Sequence, residues 1–319
     1  MKELGNARVR ILTLDDARAG QRVDNFLLRE LKGVPRSRVY RLVRSGEVRV
    51  NSRRVDVTYR LQPGDRVRIP PVRTADVAPR RSRARPAEFP LVYEDDALLV
   101  IDKPAGVAVH GGSGVSAGVI EQLRAARPDA RFLELVHRLD RDTSGLLMIA
   151  KKRSALLALH RALRADAVEK RYLVLVKGRW TRASRSVRLP LRKFLTSAGE
   201  RRVGVDPAGR ESRTRFELVE SLGEYSLLAA SIETGRTHQI RVQLAELGFP
   251  IVGDDKYGDF DLNKSLAKQG ARRMFLHAER LTFEHPRTGV RLALVAPLPA
   301  ELRGFLDRIR GDAGHAEAI

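Results

Sequence analysis

The first 70 residues contain apolar positions with helical spacing, followed by short segments with strand-like alternation. The first helical segment ends at a glycine, and the second begins after a proline, which are common helix boundaries. The apolar positions of the two helices are Val23, Phe26, Leu27 and Leu31, then Val39, Leu42 and Val43. The expected strands are 48–50, 55–57 and 66–69. This pattern predicts a small domain over residues 1–70, with a core over 22–70 and a loosely ordered lead-in before it.

Strand-like and helix-like segments alternate from residue 89 to residue 312, which predicts a second, larger domain of mixed structure. Residues 71–88 are rich in Pro, Ala and Arg without periodicity and are expected to be a mobile linker. Residues 313–319 are expected to be a disordered tail. The expected strands are 97–101, 172–176 and 225–232, and the expected helices are 156–168, 237–247 with Thr237 as its N-cap, and 299–310. The turn over 285–289 predicts a hairpin.

The composition is that of a globular chain, with 43% hydrophobic and 31% charged residues. No apolar run approaches the roughly 18 residues of a membrane span, and the polar first ten residues lack the apolar segment of a signal peptide. We therefore expect a cytoplasmic protein without a membrane partner. The absence of cysteine excludes disulfides, thiolate-bound zinc, iron–sulfur clusters and cysteine nucleophiles. The seven histidines show no ligand spacing, so no metal site is expected.

Charge is the strongest compositional signal, with 60 Lys and Arg against 39 Asp and Glu and a formal net charge of +21. An excess of this size favours a polyanionic partner, whose phosphates the basic side chains would neutralise. Membrane-surface binding is the alternative, but no basic amphipathic helix with bulky aromatics supports it. Aromatic residues make up only 5% of the chain, which argues against a broad stacking platform for single strands.

Arginines line the polar side of the second predicted helix in the basic N-terminal domain. Guanidinium groups on one face of a helix are well suited to contact phosphates. The alternative is a solvated charged face, which is the commoner meaning of a charge run. The residues expected to bind RNA here are Arg36, Arg38, Arg41, Arg44 and Arg49.

The candidate chemistry lies in residues 137–147, HRLDRDTSGLL, where an aspartate stands between two arginines in a segment with apolar flanks. Neighbouring positive charge favours the ionised form of a carboxylate. An ionised carboxylate in a basic protein can act as a nucleophile or base toward an anionic polymer. The alternative is an ordinary surface salt-bridge cluster. Asp142 is a rival to Asp140 for the reactive role.

Four segments occur in the order found in one enzyme family, and together they resemble the RluA/RluC-type pseudouridine synthases. They are 102–106 (DKPAG), 137–147, 170–172 (KRY) and 234–241 (TGRTHQIR), with weaker similarity at 253–258 and 276–278. The N-terminal domain resembles the S4 RNA-binding module, and residues 31–35 (LKGVP) are similar to S4-bearing members of the family. The resemblance implies an α+β fold with a mixed, largely antiparallel central sheet and flanking helices, plus a small N-terminal S4 domain.

The resemblance also implies residue roles. Asp140 would be the catalytic residue, Arg241 its ion-pair partner, and Tyr172 the residue that stacks on the target base. Arg138 would fill the stack vacated by a flipped uridine, with His137 beside it. Alternatives remain open: Tyr172 as a core residue, Arg241 as a surface salt bridge, and Arg236 as the partner of the aspartate. His238 and His277 are expected to be structural and not catalytic.

The implied function is the isomerisation of specific uridines to pseudouridine in 23S rRNA, free or in a precursor of the large ribosomal subunit. The reaction needs no cofactor, because the leaving base is also the incoming one. No obligate protein partner is indicated, and a monomer is expected. The alternatives are a non-catalytic S4-type assembly factor and the same chemistry on tRNA. A glycosidase is disfavoured because only one carboxylate lies in a clear motif, whereas glycosidases use a pair.

Overall fold

The computed structural model describes residues 9–14, 20–31, 33–72, 84–111, 117–197 and 199–316. The chain forms two compact units, Met1–Arg81 and Ser82–Ile319. Among the described residues, no helix combines the length and the apolar character needed to cross a membrane.

The first unit packs two helices on a three-stranded antiparallel sheet with the strand order β1-β3-β2. Its elements are β1 (Arg10–Thr13), α1 (Val23–Glu30), α2 (Arg36–Arg44), β2 (Arg49–Val50) and β3 (Arg66–Ile69). The apolar helix positions predicted from spacing, from Val23 to Val43, all lie in one buried cluster with Val50, Val67 and Ile69. Helical spacing placed these residues on one face of each helix, and burial of that face holds the unit together.

Two details of this unit differ from the expectation. The lead-in is not entirely loose, because β1 pairs with β3 and brings Leu12 opposite Val67. The strand expected at 55–57 is wrong. The side chain of Asp56 accepts hydrogen bonds from the backbone N–H and hydroxyl of Thr58, at 2.8 and 2.6 Å, so this segment forms a turn instead.

The second unit is built on an 11-stranded sheet that runs β10-β9-β11-β12-β8-β13-β7-β5-β4, with β14 beside β13 and β6 beside β7. Its strands are β4 (Leu91–Glu94), β5 (Leu98–Lys103), β6 (Glu134–Leu135), β7 (Ser144–Ala150), β8 (Glu169–Lys177), β9 (Ser184–Leu195), β10 (Arg201–Val205), β11 (Arg210–Leu222), β12 (Tyr225–Ile232), β13 (Leu276–Glu284) and β14 (Arg291–Val295). Its helices are α3 (Val119–Ala126), α4 (Arg153–Arg164), α5 (Gln239–Glu246), α6 (Phe260–Lys268) and α7 (Ala300–Ala316).

All strand pairs in this sheet are antiparallel except β7 with β13, which is parallel. Helices flank the sheet, since α5 contributes to one hydrophobic cluster, α4 to a second, and α6 and α7 to a third. The expected α+β architecture, a mixed and largely antiparallel sheet with flanking helices, is therefore confirmed.

Alternate residues of the central strands belong to different hydrophobic clusters. In β7, Leu147 and Ile149 join the cluster that includes α5, whereas Leu146 and Met148 join the cluster that includes α4. Successive side chains of a strand point to opposite faces, so this sheet is covered on both faces. A strand buried on both faces reads as a continuous apolar run, which is how residues 146–149 appear in the sequence.

The structure confirms most expected elements of this unit, including the strand at Tyr225–Ile232 and the hairpin of β13 and β14. The N-cap expected at Thr237 is wrong, because His238 adopts a left-handed conformation and α5 begins only at Gln239. The tail expected over 313–319 is wrong for 313–316, which continue α7, and 317–319 lie outside the described residues. Of the expected linker, 73–83 lie outside the described residues as well.

Substitution of Gly145 by alanine is expected to destabilise the second unit strongly. Gly145 has a φ of 110° at the start of β7, and an added Cβ would overlap the backbone carbonyl of Ala278 on the paired strand β13. Overpacking against backbone costs about 1–3 kcal/mol, and the disallowed backbone conformation adds about 1–2 kcal/mol. Chemical denaturation of the purified protein measures the change in free energy of unfolding.

Gly289→Ala is the matched control, since Gly289 also has a positive φ, of 71°, but an added Cβ would meet no atom within 4 Å. Its cost should be confined to the backbone conformation, about 1 kcal/mol. Equal losses in the two variants would contradict the close contact between β7 and β13.

Candidate active site

Asp140 lies in the loop that joins β6 to β7, directly after the buried residue Leu139. The backbone carbonyl of Asp140 accepts a hydrogen bond from the N–H of Thr143 at 3.3 Å, which closes the loop in a turn. The Asp140 side chain is 25% exposed. The loop therefore presents a carboxylate at the surface while its neighbours anchor it in the hydrophobic core.

Lys103, at the end of β5, fixes the other side of this loop. Its buried ammonium group donates hydrogen bonds to the carbonyl oxygens of Pro104, Val107 and Arg141, at 2.7, 2.9 and 3.0 Å. Burial, with a smaller contribution from the charge of Arg273, lowers the pKa of Lys103 to about 7. The bond to Arg141 ties the residue after Asp140 to the central sheet.

Arg241, on α5, contacts Asp140 and is itself almost completely buried, with 4% of its side chain exposed. Its Nη1 donates to Asp140 Oδ2 at 3.3 Å. Its Nε and Nη2 donate to the two carboxylate oxygens of Asp254, both at 2.7 Å. The carboxylate of Asp255 lies 3.6 Å from Nη2. The guanidinium is thus aimed at Asp140 by a bidentate ion pair beneath it.

The charges of Arg241 and Asp254 stabilise each other in this buried position. Burial alone lowers the pKa of Arg241, but hydrogen bonding and attraction to Asp254 and Asp140 raise it overall. Burial alone raises the pKa of Asp254, but the Arg241 guanidinium and two backbone N–H groups lower it overall. Both groups are therefore ionised at neutral pH.

Tyr172 lies on β8 and is 7% exposed, in the same hydrophobic cluster as Leu139 and Ile240. Burial raises the pKa of Tyr172, and the nearby charge of Asp140 raises it further. The ring is therefore a neutral phenol at neutral pH, close enough to Asp140 to sense its charge. The structure thus brings Asp140, Tyr172 and Arg241 together from three separated segments.

Arg236 has other partners than the aspartate. Its Nε donates to the carbonyl oxygen of Glu211 at 3.0 Å, and its backbone N–H donates to the side chain of Gln239. Among the described residues, the arginine in hydrogen-bond contact with Asp140 is Arg241.

Arg138 and His137, which precede Asp140 in the chain and are expected to bind RNA, differ in their surroundings. Arg138 is exposed and lines a groove of about 530 Å³ whose other basic residues are Arg192, Lys193, Arg210 and Arg236. His137 instead accepts a hydrogen bond at Nε2 from the backbone N–H of Met148 at 3.1 Å. Burial, and then the charge of Lys170, lowers the pKa of His137 to about 4, so the ring is neutral at neutral pH.

Three residues without a predicted role lie at or next to the site: Lys103, Asp254 and Tyr257. The signal was present in the matched segments 102–106 and 253–258, but neither segment alone indicated which of its residues faces Asp140. Tyr257 packs its ring against Arg241, whose guanidinium carbon lies 5.2 Å from the ring centroid.

In the first unit, the predicted basic residues of α2 and β2 are exposed. They are Arg36, Arg38, Arg41, Arg44 and Arg49. The guanidinium carbons of Arg36 and Arg44 lie 5.4 and 6.0 Å from the ring centroid of Tyr40, whose hydroxyl donates to the buried Asp24 at 2.8 Å. Tyr40 therefore links two of the exposed arginines to the core of the unit.

Comparison with protein families assigns both parts of the chain. Residues 97–246 match the model of the RNA pseudouridylate synthase family, and residues 21–67 match the S4 domain. The first match includes Asp140, Tyr172 and Arg241, and the second includes α1, α2 and β2.

Curated relatives are similar over nearly the whole chain. The ribosomal large subunit pseudouridine synthase C of Pasteurella multocida (strain Pm70) is 50% identical over 310 residues, which is 96% of this chain and 95% of the relative. The protein of the same name from Escherichia coli (strain K12) is 50% identical over 309 residues, 95% of this chain and 97% of the relative.

Two solved human structures share the fold. The human RNA pseudouridylate synthase domain containing 4 protein aligns with a TM-score of 0.58 and 25% identity, over 69% of this chain and 93% of its own. The domain containing 1 protein aligns with a TM-score of 0.55 and 26% identity, over 66% and 84%. These similarities and the assembled site together show that the chain belongs to the RNA pseudouridylate synthase family and carries an S4 domain before the synthase domain.

Proposed function

We propose that this protein converts specific uridines of 23S rRNA to pseudouridine and that Asp140 is the reacting carboxylate. The observation that carries the proposal is the contact of Asp140 with Arg241, a guanidinium held in place by the buried Asp254. The contact orients the carboxylate while a quarter of its side chain stays accessible. A surface salt bridge would not require a buried ion pair beneath it.

The reaction is an isomerisation in which no atom is gained or lost. The C1′–N1 bond of uridine breaks, the uracil turns, a C1′–C5 bond forms, and the proton leaves C5 while N1 gains one. An ionised carboxylate can serve this sequence as a nucleophile, or as the base that removes the C2′ proton. Asp140 suits both routes, because each needs an accessible anionic oxygen held at a fixed place.

Tyr172 is proposed to stack on the target base. Its ring belongs to the hydrophobic cluster next to the Asp140 loop and stays a neutral phenol, because burial and the charge of Asp140 raise its pKa. A neutral aromatic face is suited to hold an uncharged uracil while it turns. The hydroxyl is proposed to take part in the proton transfer at C5.

Access to a paired uridine requires that the base leaves its stack, at a cost of a few kcal/mol. Arg138 is exposed directly before the Asp140 loop and is proposed to occupy the vacated space. The basic groove that Arg138 lines would hold the flanking phosphates. The His137 side chain accepts a hydrogen bond from the backbone N–H of Met148. It is proposed to orient the neighbouring Arg138.

The large ribosomal RNA is proposed as the substrate because relatives at 50% identity over most of the chain are named for the large ribosomal subunit. The exposed arginines of the S4 unit would add affinity for a structured RNA through its phosphates. Ribosomal RNA as the substrate makes the cytoplasm the proposed place of action, and a monomer is sufficient, since one chain supplies the whole site.

Asp140→Asn is expected to abolish modification while RNA binding survives. Asparagine is nearly isosteric but cannot supply an anionic oxygen, and loss of a base or nucleophile costs about 10²- to 10⁴-fold or more in rate. Pseudouridine mapping of 23S rRNA from cells that carry either protein measures the effect and names the modified sites.

Asp142→Asn is the matched control, because Asp142 lies two residues away and pairs with the exposed Arg141. It should retain near-normal modification. An rRNA map that is identical with wild type and Asp140→Asn would contradict the 23S assignment; mapping of tRNA would then decide between another substrate and a non-catalytic assembly role.

Arg241→Met is expected to lower both stability and activity. It leaves the carboxylate of Asp254 buried without its partner, which costs about 3–5 kcal/mol. The double variant Arg241→Met/Asp254→Asn removes the buried charge but keeps an acceptor for the backbone N–H groups of Lys256 and Tyr257. Thermal unfolding and a single-turnover assay on the same samples separate the two effects.

The double variant should recover much of the stability without recovering activity, because Asp140 still lacks its guanidinium partner. Recovery of activity together with stability would mean that Arg241 only supports the fold, and would contradict its role toward Asp140.

Combined replacement of Arg36, Arg41 and Arg44 by alanine is expected to weaken RNA binding at low salt without changing the rate at saturating RNA. Each phosphate contact that is lost should reduce the slope of log Kd against log salt by about 1. Arg303→Ala, an exposed arginine on α7, is the control. An unchanged salt slope in the triple variant would contradict the proposed phosphate contacts of α2.

A further inference from the structure

His238 stands in an unusual backbone conformation next to the candidate catalytic carboxylate. Its φ and ψ are 53° and 23°, in the left-handed region. Non-glycine residues rarely adopt this conformation, and at functional sites the surrounding contacts hold them in it. The side chain is 16% exposed, and its Nε2 lies 4.0 Å from Asp140 Oδ2.

The hydroxyl of Tyr257 restrains the orientation of this ring. It accepts a hydrogen bond from the backbone N–H of Val203 at 2.9 Å and lies 2.8 Å from His238 Nδ1. A phenolic hydroxyl can donate its own proton while it accepts another, so it can donate to Nδ1. In that arrangement the imidazole proton lies on Nε2, the nitrogen that faces Asp140.

The neutral form of the ring is favoured at neutral pH. Burial lowers the pKa of His238, and the charges of Arg241 and Lys256 lower it further, against the opposing effect of Asp140 and Asp254. A neutral ring with its proton on Nε2 presents one donor toward the carboxylate. It adds no second positive charge beside Arg241.

The two oxygens of Asp140 are in different surroundings. Oδ2 has both Arg241 Nη1 at 3.3 Å and His238 Nε2 at 4.0 Å beside it. Within the described part of the chain, no hydrogen bond reaches Oδ1. Oδ2 therefore has a hydrogen bond from Arg241 and a second nitrogen 4.0 Å away, whereas Oδ1 is left for a substrate.

We propose that His238 is a positioning residue for Asp140: together with Arg241 it holds Oδ2, so that Oδ1 faces the uridine. The inference rests on the proposed role of Asp140. The ring is also connected to β10, an edge strand of the sheet, because the Tyr257 hydroxyl accepts a hydrogen bond from the Val203 N–H. Val203 and Tyr257 hold the ring, and the ring holds the carboxylate.

The test compares His238→Gln with His238→Asn. The side-chain nitrogen of glutamine can occupy the place of Nε2 and donate toward Asp140, whereas that of asparagine reaches only the place of Nδ1. The backbone has the opposite preference, because asparagine tolerates the left-handed conformation better than glutamine. A purely structural role therefore predicts that asparagine is the better substitute, and the positioning role predicts that glutamine is.

The readouts are the single-turnover rate of pseudouridine formation at saturating RNA, the Kd for the same RNA, and the thermal unfolding temperature. His238→Asn is expected to lower the rate on the order of 10- to 100-fold, as a misplaced reacting group does, with Kd unchanged. His238→Gln should retain a rate within about threefold of wild type. Tyr257→Phe, which removes the hydrogen bond to Nδ1, should fall between them.

The inference would be overturned by a rate with asparagine that is equal to or above the rate with glutamine. Equal losses in both variants, and no loss in either, are cases of this result. Thermal unfolding distinguishes a loss of folded protein from a loss of rate. The single-turnover rates of the two variants are compared at temperatures where both are folded. A wild-type chain that forms no pseudouridine in any RNA would instead refute the proposed function itself, and the inference with it.

Discussion

The buried ion pair of Arg241 and Asp254 is the interaction on which the rest of the site depends. Taking two charges out of water costs several kcal/mol per ion, and close bidentate geometry with further hydrogen bonds is needed to offset this cost. Both contacts are 2.7 Å long, and Asp254 also accepts from two backbone N–H groups. The pair leaves one guanidinium nitrogen for Asp140. It thus joins α5, the loop after Ile251 and the loop before β7 into one rigid arrangement.

Strands of the central sheet position the other residues of the site near Asp140. The strand β7 leads out of the Asp140 loop, β5 ends at Lys103, and β8 carries Tyr172. Lys103 bonds to the residue after Asp140, while Arg241 bonds to Asp140 itself. The loop is therefore restrained through both its backbone and its side chain. Restraint of this kind fits the proposed reaction, in which the base turns while the carboxylate proposed to react stays in place.

The same residue type serves two purposes in this basic chain. Arginines such as Arg36, Arg44 and Arg138 are exposed and can contact phosphates. Arg241 is buried and Arg273 is partly buried, and each has protein partners, including Asp254 for the first and Ser144 and Glu301 for the second. Net charge reports the sum of both groups, whereas affinity for RNA depends on the exposed group alone. Burial is the property that separates them.

Local patterns in the amino-acid sequence were enough to predict the elements with strong periodicity. The helices of the first unit and the strand at Tyr225–Ile232 follow from the spacing of apolar residues, because this signal is local in the chain. The Asp140, Tyr172 and Arg241 segments were identified by their resemblance to one enzyme family. Short segments were less predictable. A strand was expected at 55–57, but hydrogen bonds to the Asp56 side chain form a turn there. An N-cap was expected at Thr237, but α5 begins after His238, which has a left-handed conformation. Other contacts form only when the chain is folded: Asp254, 114 residues after Asp140, completes the ion pair of Arg241, Lys103 supports the loop, and Tyr257 orients His238. These contacts join residues far apart in the chain, and their energies arise from burial and distance, which no local pattern of residues contains.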